Sequence, residues 1–139
     1  DPLFDDKAVV ARIKQRSAGI KKILLDQNLL SGIGNIYADE SLWRAKIHYD
    51  QPAGTISRPK LLELVAIAKD VLQKAVIQGG TSFDEQYKNV NGEAGYFEQE
   101  LNAYGQQGKP CRRCGVEIKR EAWANRGSHF CPNCQKLKR

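Results

Sequence analysis

Between residues 6 and 80 apolar side chains return every three or four positions, the period of helices that each bury one face. Val9, Val10 and Ile13 mark a first helix that Asp6 can cap, and Ile20, Ile23 and Leu24 mark a second behind Ser17. Gly32 and Gly34 then interrupt the pattern before Ile36, Tyr37 and Leu42 resume it, so a tight turn delivers the chain into a third helix. The plainest helix follows, with Ser57 as cap, Pro59 in its first turn, and a stripe of Leu61, Val65, Ala68, Leu72 and Val76 that stops at Gly79-Gly80. These helices are expected to form one small bundle, with no internal repeat or low-complexity run.

After Gly80 the period is lost across a stretch holding Gly92, Gly95, Gly105, Gly108 and Pro110. A long irregular segment is commonly a binding loop or a linker, and Asn91-Gly92 favours a tight turn. The rings of Tyr87, Tyr96 and Phe97 either close this loop over a ligand or pack it onto the bundle.

Composition narrows the class. A chain of 139 residues with 41% hydrophobic content can bury a modest core, which argues against wholesale disorder. No apolar run approaches the roughly 20 residues that span a bilayer, and the opening DPLFDDKAVV lacks a signal-peptide pattern, so a soluble, cytoplasmic protein with no membrane partner is expected. The chain starts at Asp1 and contains no Met, and is read as a fragment. Residues 105–139 carry 9 basic and 2 acidic side chains, whereas the rest is nearly balanced. Such a tail suits a polyphosphate partner, or is simply a solvated basic end.

The cysteines carry the sharpest chemistry. Cys111-x2-Cys114 and Cys131-x2-Cys134 can converge on one tetrahedral Zn²⁺ site, with Gly115 freeing the backbone after the first pair. Sulfur at all four positions leaves no place for water, so the metal is expected to be structural; the alternative, a disulfide pair, is disfavoured inside a cell. Between the pairs, VEIKREAWANRGSHF alternates, turns near Asn125-Arg126-Gly127 and alternates again, which predicts a metal-closed β-hairpin with Arg126 at its tip. A guanidinium held there can take a phosphate in a bidentate grip, or can be an ordinary solvated turn residue. The fold class is therefore mainly α, a helical bundle followed by a four-Cys β-hairpin. His129 is expected to be a packed or surface histidine and not a ligand, neither it nor His48 is assigned catalysis, and Asp39 and Glu40 are expected on a helix surface.

Gly32-Ile33-Gly34-Asn35-Ile36-Tyr37-Ala38-Asp39-Glu40, running on to Ile47-His48-Tyr49, closely resembles the helix-two-turn-helix module of the bacterial formamidopyrimidine-DNA glycosylases. The tail resembles the same family's zinc finger, from Gly95-Tyr96-Phe97-Glu98-Gln99-Glu100-Leu101 through Tyr104-Gly105 and Cys111-Arg112-Arg113-Cys114-Gly115 to Arg126-Gly127-Ser128-His129-Phe130-Cys131-Pro132-x-Cys134-Gln135. The resemblance implies a helix-two-turn-helix domain over residues 1–104 and a zinc finger over 105–139, with one structural Zn²⁺ on Cys111, Cys114, Cys131 and Cys134. It further implies that Asn35 and Arg126 grip phosphates around a damaged nucleotide. Tyr87-Lys88-Asn89-Val90-Asn91-Gly92-Glu93-Ala94-Gly95-Tyr96 corresponds to the family's lesion-capping loop.

The implied parent is a bifunctional DNA glycosylase and abasic-site lyase that removes oxidised purines such as 8-oxoguanine and formamidopyrimidine from double-stranded DNA in base excision repair. Its expected state is a nucleoid-associated monomer. The family's nucleophile is an N-terminal proline amine in a preceding catalytic domain, which would be this half's partner. Here Asp1 precedes Pro2, whose nitrogen is an amide, so this half is expected to be catalytically silent alone. The alternatives are an endonuclease-VIII-type enzyme acting on oxidised pyrimidines and a stand-alone zinc-ribbon module that binds nucleic acid.

Overall fold

The computed structural model describes residues 6–26, 34–79, 101–124 and 126–138. In chain order its elements are α1 (Asp6–Lys14), α2 (Ile20–Leu24), α3 (Asn35–Ala45), a short 3-10 turn (Ala53–Thr55), α4 (Arg58–Gly79), β1 (Lys119–Trp123) and β2 (Arg126–Phe130). No helix among the described residues is long and apolar enough to cross a membrane.

α4 is the spine, packed by α1 and by α3. Its inward stripe is Leu61, Leu64, Val65, Ala68 and Val71, all buried, and it meets Val9, Val10 and Ile13 from α1 and Ile36, Tyr37 and Leu42 from α3. Leu72, expected on that stripe, packs against this core but is only partly buried, while Val71 beside it is buried. The side chain of Val76 lies outside the described set.

The helix starts separate local from tertiary capping. Ser57 behaves as expected, its Oγ accepting the Lys60 N–H at 3.3 Å. Asp6 does not cap α1 from outside; it is the first helical residue, and its carboxylate pairs with Lys69 of α4 at 2.8 Å. Ser17 does not cap α2 either. Gly19 precedes that helix without a side-chain bond, and the amides of Ile20 and Lys21 donate to the carbonyls of Gln51 (2.8 Å) and Tyr49 (3.0 Å). Carbonyls from the 48–52 segment thus do what a serine hydroxyl would otherwise do.

β1 and β2 pair antiparallel in the register Lys119↔Phe130 through Trp123↔Arg126. The turn is placed differently from the sequence expectation. Trp123 pairs directly with Arg126, so the connection is Ala124 and Asn125, Arg126 opens β2, and Ala124 takes the positive φ (46°) that short hairpin turns need. Asn125 itself lies outside the described residues. β2 also lacks simple alternation, being buried at each of Gly127, Ser128, His129 and Phe130, because α3 packs on it while Phe130 meets the rings of His48 and Tyr49. β1 is the outer strand.

Candidate nucleic-acid interface and metal centre

The sulfur atoms of Cys111, Cys114, Cys131 and Cys134 all lie within 4.8 Å of one another, and none is in a disulfide. Four ligands at about 2.3 Å from one Zn²⁺ stand about 3.8 Å apart along each tetrahedral edge, so the quartet fits one ion. Local backbone builds each half of the site. Gly115, at φ +84°, lets the chain fold back so that its N–H donates to the Cys111 carbonyl (2.8 Å), and the Gln135 N–H closes the second turn on the Cys131 carbonyl (2.9 Å).

The surroundings tune the sulfurs. Trp43 Nε1 donates to Cys111 Sγ and Arg113 Nε to Cys134 Sγ, each at 3.3 Å, while the Arg113 guanidinium lies 4.0 Å from the centre of the Trp43 ring. The Val116 N–H and the Asn133 side chain hold the Cys114 thiol down to about 6, whereas burial pushes Cys131 up to about 12. A buried sulfur that resists ionisation is a ligand that depends on the cation's own charge.

Asp39 and Glu40, expected on a helix surface, are buried, at 1% and 4% exposure. The reason is long-range pairing. Asp39 Oδ1 meets Lys21 Nζ at 2.8 Å, and its Oδ2 accepts the His129 N–H (3.0 Å) and faces His129 Nδ1 (2.9 Å). Lys21, fully buried, also donates to the Gly127 carbonyl (3.0 Å) and to Ser128 Oγ (2.9 Å), with the Trp123 ring 4.7 Å away. Burial lowers its pKa, and Asp39 opposes that shift.

Glu40 turns the other way and accepts three successive backbone N–H groups, Asn102 (2.8 Å), Ala103 (2.7 Å) and Tyr104 (2.9 Å). Burial pushes its carboxyl up, and those amides offset part of the rise. Two consecutive carboxylates on α3 therefore clasp the cysteine-bearing segment, one on β2 and one on the chain leading into the first cysteine turn.

Two buried glutamines complete the attachment. Gln135 joins the Cys131 N–H (2.8 Å) to the Ile47 carbonyl (3.1 Å), and Gln51 bonds both the N–H and the carbonyl of Lys138, each at 2.8 Å. Lys21 and Gln51 carried no local motif and were missed in the sequence, and Gln135, which ends the zinc-finger motif, had no role assigned to it.

Asn35 opens α3, and its Nδ2 donates to the Gly127 carbonyl at 3.1 Å, one residue beyond Arg126. The two residues marked for phosphate are thus brought to one edge of the molecule, with the Arg126 side chain exposed. Asn35 Oδ1 is buried without a hydrogen-bond partner among the described residues. His129 is a buried clasp residue and not a metal ligand, while His48 stacks on Tyr49 with ring centres 4.4 Å apart. The segment from Tyr87 to Tyr96 lies outside the described residues.

Residues 1–86 match the family model of the formamidopyrimidine-DNA glycosylase H2TH domain. The chain belongs to that family. Residues 108–137 also match the zinc finger found in FPG and IleRS, and this match with the sulfur quartet makes one structural zinc the metal of the site. A formamidopyrimidine-DNA glycosylase of Leifsonia xyli is 60% identical over 137 residues, covering 99% of this chain and 46% of the relative.

Among solved structures, MutM in complex with carbocyclic 8-oxo-G containing DNA aligns with a TM-score of 0.83 and 40% identity, over 96% of this chain and 48% of that one. The Lactococcus lactis Fpg bound to abasic-site DNA gives 0.83 and 39% over the same shares. The chain spans about half the length of the formamidopyrimidine-DNA glycosylases it matches.

Proposed function

We propose that this chain is the DNA-binding C-terminal half of a bifunctional DNA glycosylase and abasic-site lyase that excises oxidised purines in base excision repair. The observation that carries the reading is the bond from Asn35 to the carbonyl next to Arg126, which fixes the start of α3 against the metal-braced strand. A helix N-terminus favours anions, and an exposed guanidinium beside it adds a charge-assisted donor, so the edge suits a DNA phosphate. Gly34 supports close approach: its backbone is extended (φ −103°), and a Cβ built there would meet no described atom within 4 Å. Related proteins of the same fold are named for binding 8-oxo-G and abasic-site DNA.

Residues 1–104 serve in this reading as the helix-two-turn-helix domain and 105–139 as the zinc finger, with one apolar cluster around α4 and a second around Ile118 to which Trp43 and Ala103 contribute. The segment from Tyr87 to Tyr96 is assigned to the lesion, and a preceding catalytic domain is the intramolecular partner. The half is silent alone. The nitrogen of Pro2 is an amide, and Lys21, the one fully buried amine among the described residues, is engaged by Asp39, Gly127 and Ser128. Borohydride trapping with a duplex containing 8-oxoguanine tests this: duplex binding without a covalent adduct is expected, and an adduct formed by this chain overturns its silence.

A further inference from the structure

We infer that the cleft between the end of α3 and the start of α4 is a second anion site, which takes a backbone phosphate of nucleic acid away from the Asn35–Arg126 edge. The cleft encloses about 340 Å³, with Ile47 and Ile56 among its walls and Lys46, Lys60, Lys136 and Lys138 around it, and no carboxylate lines it. Lys60 is bridged to Glu63 at 2.8 Å. The ammonium groups of Lys46, Lys136 and Lys138 are exposed and have no carboxylate partner among the described residues.

These lysines are held in place and not merely scattered. Lys46 sits in the left-handed turn (φ 61°) that ends α3, a conformation seldom given to a side chain with a Cβ. The tail bearing Lys136 and Lys138 is fastened by the buried glutamines, Gln135 to the Ile47 carbonyl and Gln51 to both backbone groups of Lys138. The hydroxyls nearby are already used: Ser57 caps α4, and Thr55 Oγ1 donates to the Pro52 carbonyl. His48 Nδ1 accepts the Asp50 N–H and the Gln51 amide is taken up by Thr55 and Lys138, so among the polar lining groups the lysines supply the charge, and the positive end of the 22-residue α4 adds to the field. Like charges gathered by tertiary bonds repel one another, and a phosphate relieves that repulsion.

The site is distinct from the first. α3 separates Lys46 from Asn35 by about 16 Å of helix rise, so one phosphate cannot serve both. A nucleic-acid source rests on the DNA-binding reading above, whereas the anion site itself does not, and the test keeps the two apart.

The zinc-loaded chain is titrated with inorganic pyrophosphate, with backbone amides followed by NMR. In parallel, affinity for a long and a short duplex is measured across salt for the parent and for the triple variant Lys46→Gln, Lys136→Gln, Lys138→Gln. Pyrophosphate is expected to move amides of residues 46–57 and 136–138 in the parent and not in the variant. The variant should lose about 0.9 from the salt slope on the long duplex, one phosphate's worth, and nothing on a duplex too short to reach the cleft. Amide shifts with an unchanged duplex slope, or with no duplex binding by the parent, overturn the nucleic-acid source and leave a site for free polyphosphate. Amides that stay still, with equal slopes, overturn the site itself.

Discussion

Replacing Asp39 by Ala removes the carboxylate that holds Lys21 at 2.8 Å and the backbone N–H and Nδ1 of His129 at 3.0 and 2.9 Å, in a position only 1% exposed. The ammonium of Lys21, with no exposed surface, is then left with neutral acceptors alone. Breaking a buried pair from one side costs about 3 to 5 kcal/mol, against a few tenths for a surface carboxylate. Removing both partners should cost far less than the sum, since no unpaired charge is left behind.

The assay is urea unfolding of the zinc-loaded parent, Asp39→Ala, Lys21→Met and the double variant. Its pH dependence has a definite sign. Burial already lowers the Lys21 pKa, and losing Asp39 lowers it further, so the unfolded chain binds more protons than the folded one between the two values. The deficit of Asp39→Ala should therefore shrink as pH rises towards the ordinary lysine value. A loss below about 0.5 kcal/mol, or strictly additive single losses, would refute a buried clasp.

Glu40→Gln keeps the shape but turns an NH₂ group towards amides that need an acceptor; a loss of about 1 to 3 kcal/mol in the same urea assay is expected, and a neutral result would mean that the bonds to residues 102–104 do not hold the segment. Zinc binding must displace protons from thiols such as Cys131, which burial pushes up to about 12, so competition with a chelating dye should give tighter binding at pH 8 than at pH 6. Equal affinities at the two pH values would contradict a four-thiolate site. Stripping the metal should abolish β1–β2 protection in hydrogen exchange while the apolar cluster around α4 stays protected, and simultaneous loss of both would mean a single cooperative unit.

Helix positions and the metal ligands could be read locally because each depends on short spacing. The stripe of α4, the Ser57 cap and the paired CxxC turns all involve neighbours within a few residues, where periodicity and turn chemistry operate. The clasp could not be read that way. Asp39 and His129 are 90 positions apart, beyond the reach of any local pattern, and Glu40 finds amides about 60 positions on. A weak local sign existed: both acids sit among Ile36, Ala38, Leu42 and Trp43, so nearly every face of α3 is apolar and no solvent face remains for them. The hairpin turn was misplaced for a related reason. Asn125-Arg126-Gly127 has turn-forming residue types, yet the register is set by how β2 docks on α3, and that docking makes Arg126 a strand residue.

The central claim is that the start of α3 and the metal-braced strand form a single phosphate grip. It is tested most directly by the salt dependence of binding between the zinc-loaded chain and a duplex containing an abasic-site analogue, for the parent, Asn35→Ala, Arg126→Ala and the double variant. Loss of about 0.9 from the slope in Arg126→Ala, weaker binding in Asn35→Ala, and a double variant less impaired than the two effects combined are the predicted results. Slopes and affinities equal to the parent's in both single variants, with zinc still bound, would contradict it.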